Sequence, residues 1–326
     1  MGTDKVIFMI QLLLLTIIIL TVIIVTILVK IHRRVRKIGY CILLKDEFPT
    51  DTIWEQFFEK IPKNRYKIAI HTKVDLSKFI APNLKIINSA TVVPRVETRW
   101  GHYSIVKAEV NTLKECLKDP EVDRLCFISG NCIPIKSFQN SIKFLEKNNK
   151  SIFSQFNMTV RFPRFDELLK YGIDKDDVGF HHQWCVLRRS HAQLLVDKYD
   201  EYIEWFANIH APDECAILTV IQHYKTPKNE IRQISCLKKK DGEDGIQGTT
   251  FTHWHDINYR YRMDKLDKLS VSSPKLYEFI SYQELIYIIL KTPCIYARKF
   301  TKDTKVIMWD ESQITLKEAL EKEKVI

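Results

Sequence analysis

Four consecutive apolar residues, Leu125-Cys126-Phe127-Ile128, constrain this chain most, because a strand without polar alternation has to be covered on both faces. Strands of that kind belong to α/β folds, in mostly parallel sheets flanked by helices. The preceding residues agree: Val106, Val110, Leu113 and Leu117 recur at helical spacing, and Asp119-Pro120 stops the helix. Ser129-Gly130-Asn131 then breaks the strand. Ligands of α/β sheets bind at the C-terminal ends of the strands, so this exit is the first candidate for chemistry. It lacks two closely spaced carboxylates for a metal.

The same alternation runs through the chain. Strands are expected at Tyr40–Leu44, Tyr66–His71, Ser151–Phe156 and Gln183–Leu187, and helices at Thr52–Lys60, Ser137–Glu146, Ser190–Phe206 and Glu284–Leu290. The segment from Asn157 to Phe180, which mixes Arg161, Arg164, Asp166 and Asp174, reads as a long surface excursion. Residues 6–29 are apolar apart from Gln11, Thr16, Thr21 and Thr26, and about 20 such residues span a bilayer. The expected organisation is a short tail at 1–5, a transmembrane anchor at 6–29, a basic stem at 30–39 and one catalytic domain at 40–326. No repeat or low-complexity linker divides that domain.

The formal charge of +10 resembles a nucleic-acid signal until it is localised. Lys30, Arg33, Arg34, Arg36 and Lys37 follow the anchor and carry half of it, so no nucleic-acid partner is expected. By the positive-inside rule the same cluster favours a cytoplasmic domain. The eight cysteines form no CxxC pair, which argues against a zinc ribbon or a thioredoxin-type site, and Cys116 and Cys126 read as buried. Asn149-Lys150-Ser151 and Asn157-Met158-Thr159 match the glycosylation sequon.

Three further stretches carry chemistry. Ala211-Pro212-Asp213-Glu214 stands before the apolar run Cys215–Val220; it reads either as a helix start or as a turn presenting a general base. In Gly248–Asp256, His253, His255 and Asp256 raise the possibility of a metal site, although two histidines fall short of one, and Trp254 suits stacking on a sugar face. Arg298-Lys299, set between Tyr296 and Phe300, is a solvated basic pair or a cationic clamp for a departing diphosphate. Lys238–Gly245, KKKDGEDG, reads as a solvated loop because it lacks the other ligands of a calcium loop.

The order and spacing of several segments resemble the core-2/I-branching glycosyltransferases and their plant relatives. These are Phe48–Phe58, Tyr66–His71, Trp100–Glu109, Ser129–Pro134, His182-Gln183-Trp184, Pro212-Asp213-Glu214, Phe251–Trp254 and Ala297-Arg298-Lys299-Phe300. The resemblance implies a GT-A-type nucleotide-sugar fold, an inverting mechanism and no metal cofactor. It also implies a UDP-sugar donor, N-acetylglucosamine above all, and a glycan acceptor. Position by position, it makes Glu214 the catalytic base and places the donor diphosphate on Lys299, Lys275 and Arg298. The nucleotide side falls at Ser129, Gly130, Asn131, Trp100 and Ser104, and the acceptor side at Trp254, Asp213 and Trp184. Asp256 departs from the pattern, and Arg161 and Arg164 receive no role. A Golgi type II protein is implied, against the topology that the basic flank favours. The competing readings are a tethered carbohydrate-binding module, a metal-dependent hydrolase built on His253, His255 and Asp256, and a basic membrane-surface scaffold.

Overall fold

The computed structural model describes residues 2–79, 86, 89–155, 162–224, 230–235, 248–252 and 274–326. It divides into two compact units, Met1–Val35 and Arg36–Ile326. The first is a single helix, α1 (Thr3–Arg33), of which Ile7–Thr26 is long and apolar enough to cross a membrane. Thr16, Thr21 and Thr26 each turn their hydroxyl back to the carbonyl four residues earlier at 2.7–2.8 Å. Those contacts leave no hydroxyl hydrogen pointing into apolar surroundings.

The second unit opens with β1 (Lys37–Leu44), α2 (Asp51–Glu59), β2 (Tyr66–Thr72), β3 (Thr91–Val92), α3 (Ser104–Leu117) and β4 (Val122–Ser129). Lys37 therefore begins a strand inside the segment expected as stem, and Arg36 and Lys37 are ion-paired with Asp123 and Asp119. Next come β5 (Ile133–Pro134), α4 (Phe138–Lys147), β6 (Ser151–Gln155), β7 (Val186–Arg188), α5 (Arg189–Asp197), α6 (Tyr199–Tyr202), α7 (Ala216–His223) and β8 (Ile231–Ser235). The chain closes with β9 (Thr250–Thr252), β10 (Phe279–Ser281), α8 (Tyr282–Lys291), β11 (Tyr296–Arg298), β12 (Lys305–Ile307), β13 (Gln313–Thr315) and α9 (Leu316–Lys322).

Seven of the described strands form one sheet in the order β3-β2-β1-β4-β7-β6-β8. β1 runs parallel to both β2 and β4, with Tyr40 opposite Ile68 on one side and Cys126 on the other. β7 is antiparallel to its two neighbours, and β6 and β8 are parallel. This is the mixed α/β architecture with a mostly parallel central sheet that the apolar run at 125–128 demanded. Leu125, Cys126, Phe127 and Ile128 are all buried, as a strand covered on both faces has to be. Arg189 closes α3 by donating to the carbonyls of Leu117, Asp119 and Val122, which satisfies acceptors that a helix end leaves open.

Three expectations change on contact with the fold. The helix expected over Ser190–Phe206 is broken into α5, α6 and a 3-10 turn, Ile203–Phe206, which lets Tyr202 and Phe206 both reach the core. The strand expected at Gln183–Leu187 shortens to β7, and residues 181–185 leave the sheet for the site. The excursion at 157–180 is not a surface loop where it is described, since Phe165, Leu168, Ile173, Val178 and Phe180 sit in the main hydrophobic core. Its charged residues mask that apolar set. Asn157, Met158, Thr159, Arg161, Cys236, Lys238–Gly245 and His253–Asp256, with Trp254, lie outside the described residues.

Candidate active site

The exit of β4 is fixed by its neighbours before any ligand is considered. The Thr50 hydroxyl lies 2.9 Å from the Gly130 carbonyl and 2.8 Å from that of Cys132, and Trp54 Nε1 donates to the Cys132 carbonyl at 2.7 Å. Asn131 is then stapled to a distant part of the chain. Its side-chain amide donates to the Phe300 carbonyl at 3.1 Å, and the Phe300 N–H donates to the Asn131 carbonyl at 2.9 Å. Ser129-Gly130-Asn131 and Arg298-Lys299 are thereby brought together.

Lys275 joins them through the backbone. The Lys299 N–H donates to the Lys275 carbonyl at 3.3 Å, and the Tyr277 N–H to the Lys299 carbonyl at 2.9 Å. Tyr277 stacks on Phe300 with ring centroids 4.7 Å apart, and the Lys275 ammonium lies 4.7 Å above the Tyr277 ring. Burial, with Arg298 adjacent, lowers the Lys299 pKa, as expected where cations gather in one half-buried place. Arg298 itself is buried. Its guanidinium sits 3.5 Å above the Trp184 ring, burial lowers its pKa to about 10, and its Nε has no hydrogen-bond partner among the described residues.

The acidic residues are assembled differently. Ala211 adopts a left-handed conformation (φ 49°), and Pro212–Glu214 form a separate 3-10 turn before α7 begins at Ala216. Asp213 and Glu214 therefore lie in the first turn of a short 3-10 helix that Pro212 opens, one residue ahead of α7, an arrangement compatible with both the helix-start and the general-base readings. The turn is held by the Glu214 carbonyl, which accepts from the His181 N–H at 2.7 Å, and by the Ala211 N–H, which donates to the Gly101 carbonyl at 2.8 Å. Gly101 has φ 71°, and a Cβ there would fall 2.5 Å from the His210 ring, so only glycine permits this approach. Trp100, 81% exposed, stands edge-on to His210. The Ser104 hydroxyl is buried and accepts from the Arg99 N–H at 3.1 Å, which ties the loop to the start of α3.

Two residues that the sequence reading passed over complete the arrangement. Glu109 is fully buried on α3; burial first, and Asp213 second, push its carboxyl well above the usual range. Gln183 donates from its amide to Glu109 Oε1 at 3.0 Å, while Oε2 has no hydrogen-bond partner among the described residues. A signal was available: Glu109 falls three residues after Val106, on the helix face that has to be buried. Elsewhere, Ser151 Oγ lies 2.7 Å from His191 Nδ1, and His191 Nε2 lies 3.4 Å from Glu230. That line imitates a hydrolytic triad, yet Ser151 is fully buried and offers no approach for a substrate.

The two groups, a cationic one at the exit of β4 and an acidic one at Pro212–Glu214, meet the comparison with known proteins. The family model described as Core-2/I-Branching enzyme matches residues 38–275. The chain belongs to the Core-2/I-Branching enzyme family. As a member it is a glycosyltransferase, with a sugar donor and an acceptor as substrates. The match ends at Lys275, so Arg298 and Lys299 lie beyond it. Among curated proteins it is similar to Glycosyltransferase BC10 of Oryza sativa subsp. japonica, 22% identical over 323 residues that cover 85% of this chain and 77% of that relative. Among solved structures it is similar to S. aureus TarS and to TarS residues 1–349, each with a TM-score of 0.32 and 15% identity over 61% of this chain. The similarity spans 35% and 58% of those two chains, too distant for any geometry to be transferred.

Proposed function

We propose that this Core-2/I-Branching family member is an inverting glycosyltransferase, anchored by α1, that moves a sugar from a UDP-sugar to a hydroxyl of a glycan, with N-acetylglucosamine as the expected sugar. The observation that carries the reading is the gathering of Lys275, Arg298 and Lys299 at the exit of β4 through the Asn131–Phe300 and Lys275–Lys299 backbone bonds. Cations held there favour a diphosphate and stabilise the charge that develops as it leaves.

In the proposed step, Glu214 takes the proton of the acceptor hydroxyl. The oxygen attacks the anomeric carbon from the face opposite the nucleotide, the bond from that carbon to the phosphate oxygen breaks, and UDP departs with the electron pair. Lys299 and Lys275 receive the negative charge. One displacement inverts the anomeric centre. Asp213, Trp184 and Trp254 are assigned to the acceptor, and Ser129, Gly130, Asn131, Trp100 and Ser104 to the nucleotide side. Because lysine charge serves the leaving group, transfer is proposed to run without a divalent metal.

The test is a panel of UDP-sugars given to the full chain in detergent, with and without excess chelator. Transfer or hydrolysis of one donor, unchanged by chelator, is the expected result; activity that chelator removes and manganese restores overturns the metal-free step. Sugar binding without turnover of any donor points to the carbohydrate-binding module instead. The family resemblance favours a Golgi lumenal domain and the basic flank a cytoplasmic one. Protection of residues 36–326 from protease in sealed vesicles supports the first, digestion the second.

A further inference from the structure

Five consecutive residues, His181–Cys185, reach the Glu214 turn, the buried Glu109 and Arg298. The His181 N–H holds the Glu214 carbonyl at 2.7 Å, and the His181 ring is fixed in turn, with Nδ1 2.7 Å from the His182 carbonyl and Nε2 accepting from the Leu218 N–H at 3.4 Å. The His182 N–H donates to the Ser154 carbonyl at 3.0 Å. The Gln183 side chain holds Glu109 at 3.0 Å, and the Trp184 ring lies under Arg298 at 3.5 Å. The Cys185 carbonyl accepts from Phe127 of β4 at 3.2 Å, so the segment is moored to the central sheet.

Gln183 and Trp184 are adjacent, so the carboxyl on α3 and the buried guanidinium before Lys299 are referred to one peptide unit. We propose that His181–Cys185 is a positioning strap, in which Trp184 sets the diphosphate end through Arg298 while Gln183 and His181 set the end that carries Glu214. None of the three need touch the reacting atoms; Trp184, assigned above to the acceptor side, reaches the diphosphate end only through Arg298. The strap acts by keeping the base and the cations at one separation, and misplacement of such groups is costly in rate. The proposal rests on the donor reading given above.

The test is titration of the full chain with UDP, paired with turnover of a UDP-sugar and a melting curve for each variant. Trp184→Leu is expected to weaken UDP binding about tenfold, the size of a desolvated cation–π contact, and Trp184→Phe to restore it to within about twofold. Gln183→Met is expected to lower kcat while UDP binding stays within about twofold of the parent. A general packing role would instead lower the melting temperature of all three variants without separating binding from turnover. A parent that binds UDP, with Trp184→Leu binding it equally well, overturns the strap and leaves the donor reading standing. A parent that binds no UDP overturns the donor reading, and the strap with it.

Discussion

At the cationic end, Lys275 and Lys299 are set by main-chain hydrogen bonds between neighbouring strand-like segments, so their positions do not depend on their own side chains. At the acidic end, Glu214 rides on a three-residue turn entered through a left-handed alanine, and the turn sits against a buried carboxyl and a histidine ring. The first construction tolerates side-chain replacement; the second couples side-chain identity to folding. Substitutions among the lysines should therefore report on charge alone, whereas those around Glu214 should mix chemistry with stability.

The largest effect is expected from Glu214→Gln, which keeps size and hydrogen bonding while removing the base. Turnover should fall about 10²- to 10⁴-fold with UDP binding intact, and near-normal turnover would remove Glu214 from the base role. Lys299→Ala comes next. Loss of one charge-stabilising group should cost about 10²- to 10³-fold in kcat, and its melting temperature should stay at the parent value if the backbone alone holds this end. Lys275→Ala should cost less, and Lys275→Arg should keep most activity, since the charge survives; equal losses in both would show that shape rather than charge matters there.

The smallest effect concerns stability. Glu109→Leu leaves the half-buried Gln183 amide without its acceptor, which should destabilise the chain by about 1 kcal/mol in chemical denaturation. The pH dependence is more telling. An unfolded glutamate titrates near 4.5, whereas burial holds the folded Glu109 well above it. Between those two values the unfolded state loses its proton first, so this contribution to stability is complete below 4.5 and declines as pH rises through the folded value. Glu109→Gln should remove that decline. His181 works in the opposite direction, because burial lowers its pKa from 6.5 to about 4, and stability should be lost as pH falls across that interval. A parent and a Glu109→Gln variant with parallel stability profiles would mean that Glu109 is not neutral in the fold.

The difference between the two ends also explains what the sequence disclosed. The parallel core was legible because Leu125–Ile128 and the spacing of Val106, Val110 and Leu113 are local patterns. Pro212-Asp213-Glu214 was visible as a motif, but the left-handed Ala211 and the separate 3-10 turn were not, since nothing in an alanine announces that conformation. Arg298-Lys299 resembled a solvated pair on composition, because the burial of Arg298 depends on β11 lying between β5 and β9. Phe165, Leu168 and Phe180 were hidden among charges for the same reason: their partners are distant in the chain.

The Asn131–Phe300 staple joins residues 169 positions apart. Loop-closure entropy opposes a contact of that sequence separation, and the contact cannot form before residues 296–300 have been made. During synthesis the ribosome has released α3, β4 and Glu214 well before residues 296–300 emerge. Under the proposed roles, the turn that carries Glu214 is therefore made before the segment that carries Lys299, and the site is complete only once both are in place.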